Sequence, residues 1–147
     1  MIKKYKTLYP FTIWVTTFSD WNKVLNKFLF YPNLEDLYND VSYTKADVAE
    51  PMFSTAVVYL VREKSNKDSY GAIVLLNEDY IEDFSYMIDT IAHESVHIAD
   101  YIWIHIDGGN TKDGINEPYA YLVGWIAGRI SDYLIEYKAT DGDRKEV

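Results

Sequence analysis

Two of the chain's three histidines stand four residues apart, with a glutamate directly after the first, in Ala92-His93-Glu94-Ser95-Val96-His97. Four residues advance a helix by about 400°, so both imidazoles leave one face about 6 Å apart. Ring nitrogens so spaced can reach one ion at about 2.0–2.1 Å, the length of a zinc–imidazole bond. Glu94 sits about 100° round the helix, where it can address a metal-bound water without taking a place on the metal. Such a trio suits metal-assisted hydrolysis, with Glu94 as general base.

Two imidazoles seldom suffice for a tight zinc site, so a third protein ligand is needed. Glu117 is the best-placed candidate, 20 residues past His97 and at the start of the next helix. An antiparallel return after the intervening loop brings that turn back beside the first helix. His105 and Asp107 replace it if the first helix ends early. Asp100 shares the histidine face, either as an acceptor that sets an imidazole tautomer or as a plain surface carboxylate. On the later helix Glu117, Tyr121, Gly124 and Gly128 share one face. A mid-helix glycine costs about 1 kcal/mol relative to alanine. Two on one face point to close approach of the metal-bearing helix, or to room for a bulky aromatic. A tetrahedral oxyanion also needs a donor. Tyr121 is the first candidate, with Tyr101 and His105 behind it, though each is also a natural core aromatic.

These side chains need elements to hold them. The metal-bearing helix is expected over residues 84–104, with Ile88, Ile91, Ser95, Ile98 and Ile102 as its core stripe. Tyr86, Asp89, Thr90, His93, His97 and Asp100 lie opposite. A glycine-rich loop follows over 105–115, without the calcium-loop pattern. The last helix is expected from Pro118 to Tyr137 with Asn116 as its cap, then a polar tail over 139–147. Upstream, residues 11–17 read as a strand, since they are β-branched and aromatic. A helix follows through Trp21, Val24, Leu25, Phe28 and Leu29, stopped by Pro32. Asn33 caps a short helix over 33–41, and 42–54 read as loop. Strands 55–62 and 71–76 form a loose hairpin or neighbours, and the second could offer its edge to a peptide. The order β-α-(α)-β-β-α-α predicts an α+β domain over 1–138.

Composition sets bounds. At 147 residues the chain can bury a core of its own. No cysteine is present, which excludes disulfides and thiolate ligands and suits a reducing, cytoplasmic setting. A net charge of −9 argues against nucleic acid as a partner. No stretch approaches the roughly 18 apolar residues that a membrane span requires. The start Met1-Ile2-Lys3-Lys4 before an apolar run is better explained by a strand than by a leader.

With Ala120 completing Asn116-Glu117-Pro118-Tyr119-Ala120, these segments resemble the gluzincin branch of the zincin metallopeptidases. Those enzymes carry H-E-x-x-H on one helix and a glutamate ligand in N-E-x-x-A on a later one. The stretch 92–100 with 117–128 is also similar to small zincin-like proteins encoded by bacteriophages. The resemblance implies a minimal zincin-like domain, a small sheet packed on the H-E-x-x-H helix and a following Glu-bearing helix. It implies Zn2+ held by His93, His97 and Glu117, with Glu94 as base against a peptide bond. A peptide or protein is then substrate or partner.

Unlike larger zincins, the chain shows no obvious second subdomain to wall a deep cleft. A second class is therefore a binding or assembly protein with a structural or vestigial zinc, and its 14 tyrosines suit an aromatic surface. A third is an acidic decoy for a nucleic-acid-binding protein.

Overall fold

Residues 12–17 and 70–76 are β-branched and apolar on both faces, a pattern that belongs to strands covered on both sides. In the computed structural model, which describes residues 1–44, 47–109 and 116–145, they form the middle of a mixed sheet. Strand β1 (Lys3–Lys6) pairs antiparallel with β2 (Thr12–Thr17), which runs parallel to β5 (Tyr70–Leu76). Next come β4 (Ala56–Glu63), antiparallel to β5, and β3 (Phe28–Tyr31), antiparallel to β4. The spatial order is β1-β2-β5-β4-β3. The fold is α+β, as expected, and β4 and β5 form the expected hairpin.

Among the described residues four α-helices complete it: α1 (Trp21–Lys27), α2 (Leu34–Tyr38), α3 (Phe84–His105) and α4 (Glu117–Lys145). Ile13, Val15, Val74 and Leu76 pack on one face of the sheet with Ile98, Ile102 and Ile126 of the long helices. Trp14, Ile73 and Leu75 pack on the other with Trp21 and Val24 of α1. α3 lies over β4, and α4 beside it over β2. Among the described residues no helix is long and apolar enough to cross a membrane.

The structure departs from expectation at several points. Strands β1 and β3 were not expected. Phe28 and Leu29 belong to β3 rather than to the helix before it, because Phe28 gains a pairing with Glu63 and complete burial. α4 runs on to Lys145, so most of the supposed tail continues a helix. On α3, Ile88 is 51% exposed, whereas Thr90 and Glu94 are buried. The helix is covered from two directions, by β4 and by α4, so its buried arc is wider than the isoleucine stripe and turned toward β4.

Strand β5 lies between β2 and β4, so it has no edge to offer a peptide. The stretch of unpaired edge that lies beside α3 belongs to β4. β3 pairs only with its residues 60–63, which leaves Ala56–Tyr59 without a strand on that side among the described residues. Gly71 lets β2 and β5 meet: a Cβ there would fall 1.9 Å from the Thr12 carbonyl oxygen.

Candidate metal centre

Helix α3 begins at a defined cap, where the Asp83 side chain accepts from the Tyr86 N–H at 3.2 Å. Its third and fourth turns carry His93, Glu94 and His97. The Nε2 atoms of His93 and His97 lie 3.0 Å apart, with ring centroids 4.6 Å apart and planes at 75°. Two nitrogens bound to one tetrahedral zinc are about 3.3 Å apart, so little adjustment separates this pair from a bidentate grip. Possible ligand atoms of His93, Glu94 and His97 all lie within 4.8 Å of one another. Both imidazoles are exposed, while Glu94 is only 7% exposed. Burial raises its carboxyl above the ordinary range, and the two histidines pull it partly back.

Glu94 belongs to two neighbouring recesses that together make a groove between α3 and the open edge of β4. One, of about 360 Å³, is lined by Val57, Val58, Tyr59, His97 and Tyr101 as well as Glu94. The other, of about 450 Å³, adds Ser54, Thr55, Tyr86, Asp89 and His93. Burial raises the pKa of both Tyr59 and Tyr101, which keeps their hydroxyls protonated donors.

Glu117 does not join this group. It is exposed and lines a separate recess of about 750 Å³ with Leu8, Tyr9, Tyr121 and Trp125. The structure thus does not bring the expected third ligand, Glu117, together with the histidine pair. Tyr121 shares that recess and is 75% exposed, so it is not beside the histidines. Gly124 and Gly128 do not admit α3, since a Cβ at either would meet nothing within 4 Å.

What α4 turns toward α3 is Tyr119. Its hydroxyl donates to Asp100 at 2.6 Å, and its ring packs edge-on against Trp103 at 5.8 Å. Burial and the Asp100 charge push its pKa up to about 12. Asp100 is thus an acceptor for a tyrosine from α4, not for an imidazole. The sequence carried a signal for this. The buried stripe Leu122, Ile126, Ile130 and Tyr133 extends back by three residues to Tyr119, which leaves Glu117 on the outer face.

His105 is engaged elsewhere. Its Nδ1 pairs with the Tyr38 hydroxyl at 2.7 Å and its Nε2 faces the Tyr70 hydroxyl at 3.4 Å. Asp107 sits past the end of α3 at a positive φ of 53° and does not join the group either. Most of the glycine-rich loop, residues 110–115, lies outside the described residues. Comparison of the chain with family models, curated proteins and solved structures finds no match.

Proposed function

We propose that this chain is a zinc-dependent hydrolase of peptide bonds, working from the groove between α3 and the open edge of β4. The observation that carries the reading is the convergence of the His93 and His97 Nε2 atoms, 3.0 Å apart, beside a buried glutamate. The donor set suits zinc, which favours imidazole nitrogen with carboxylate oxygen. His93 and His97 would hold the ion as two of its ligands, and among the described residues no His, Asp or Glu other than Glu94 lies close enough to join them.

Zinc, when bound, supplies Lewis-acid polarisation of a carbonyl and an acidified water. The chain supplies the rest. Glu94 takes a proton as general base and returns it to the leaving amine. Tyr101 takes the donor role first given to Tyr121, because it lines the same recess as Glu94 and His97. Ala56–Tyr59 orients the substrate by pairing main chain to main chain with an extended segment.

One observation favours a second reading. The Glu94 carboxylate is near enough to both imidazoles to be the third ligand itself. A zinc held by all three would leave no base, as in a binding or assembly protein on a zincin-like scaffold. Glu94→Gln separates the two. Retained zinc with lost cleavage of a peptide library supports the hydrolase, whereas lost zinc supports the closed site. A wild-type protein that takes up no zinc rejects both.

A further inference from the structure

The groove has two chemically different ends. Toward the C-terminal half of α3 it is walled by Val57, Val58, Tyr59 and Tyr101. Toward the N-terminal half it is walled by Tyr86 and Asp89, opposite Ser54 and Thr55. Tyr86, Asp89 and His93 recur at steps of three and four, so they stand in one row along the helix. Tyr86 is 53% exposed, held from behind by Tyr80 with ring centroids 5.7 Å apart. Asp89 is exposed and forms no ion pair or hydrogen bond among the described residues.

We infer that this end of the groove is a subsite for a cationic side chain, lysine or arginine, of an extended peptide laid along Ala56–Tyr59. The inference rests on the groove being the peptide site proposed above. Three features argue for it together. The unpaired strand edge calls for an extended main chain. Asp89 supplies a carboxylate without a cation of its own, and Tyr86 beside it supplies an aromatic face for the same charge. Asp89 stands four residues, about 6 Å along the helix, from His93. A strand advances about 3.3 Å per residue, so the cationic position falls one to two residues from the histidines. Among the described residues no carboxylate but Glu94 lines the Tyr59–Tyr101 end, so the cation preference belongs to one side of the reacting bond only.

The test uses the full chain carrying Glu94→Gln, so that bound peptide is not consumed. The probes are capped octapeptides of threonine and alanine that carry a single lysine, glutamine or glutamate at each position in turn, with binding read by calorimetry. Lysine at one or two adjacent positions should bind about fivefold tighter than glutamine there, and glutamate weaker than both. Asp89→Lys should reverse the order, Asp89→Asn should level it, and Tyr86→Ala should reduce the lysine advantage alone. Equal binding of the three series, a preference that survives Asp89→Lys, or no binding by any of them overturns the subsite. Binding with these preferences, joined to no cleavage by the wild type, sinks the hydrolase and leaves the subsite standing. Cleavage that ignores charge does the reverse.

Discussion

The Tyr119 hydroxyl lies 2.6 Å from the Asp100 carboxylate, and this bond ties the first turn of α4 to α3 one turn beyond His97. Its removal should loosen the seam between the helices rather than the histidine pair. Tyr119→Phe is expected to cost roughly 1–3 kcal/mol, since a hydrogen bond to a charged acceptor is lost. Urea denaturation measures it. Zinc content of the variant should stay at the wild-type level.

Metal retention separates the residues that converge from the one that does not. His93→Ala and His97→Ala should each lose the ion, while Glu117→Gln should keep it, because Glu117 stands in a different recess. Elemental analysis of dialysed protein decides this. Loss of zinc from Glu117→Gln would mean that α4 swings round when the metal binds.

Gly124 offers a test of opposite sign. Nothing would meet a Cβ there within 4 Å, and the residue sits inside α4. Gly124→Ala should therefore stabilise the protein by up to about 1 kcal/mol through helix propensity alone. A fall in the melting temperature would show that α4 needs the bare backbone at that point.

Acid sensitivity is expected at Glu63. Burial alone would raise its carboxyl, but the Lys4 ammonium at 2.8 Å and the Ser69 hydroxyl at 3.1 Å more than offset that and hold it below 4.5. A carboxyl depressed in the folded state adds stability above its unfolded pKa and loses it as pH falls through the folded one. Stability should thus decline as pH drops below 4.5. Glu63→Gln should remove that part of the slope and cost about 1–3 kcal/mol at pH 7. Denaturation curves at pH 7 and pH 3 give both numbers.

The legible parts of this molecule were those governed by local periodicity. The histidine pair could be read because one helix holds both members, and the β4–β5 hairpin because two apolar, β-branched runs and a polar turn are close in sequence. The separation of Glu117 from the histidine pair could not be read, because its position depends on how α4 rolls against α3. That roll is set by Tyr119 and the stripe behind it, not by the Asn116-Glu117 motif. Strands β1 and β3 escaped notice for a related reason. Lys3–Lys6 is polar, and Phe28–Tyr31 continues an apparently helical run, so only a neighbouring strand makes either one a strand. The open half of β4 could not be foreseen at all, since it depends on where a different strand stops.

The parallel junction of β2 with β5 has a kinetic side. Thr12 pairs with Gly71 and Thr17 with Leu76, so segments distant in sequence must meet before the middle of the sheet exists. Loop closure of that span is slow compared with zipping a hairpin. β4 and β5 should therefore assemble early and wait for β2, and Gly71→Ala, which blocks the meeting point, should slow refolding as well as weaken the native state.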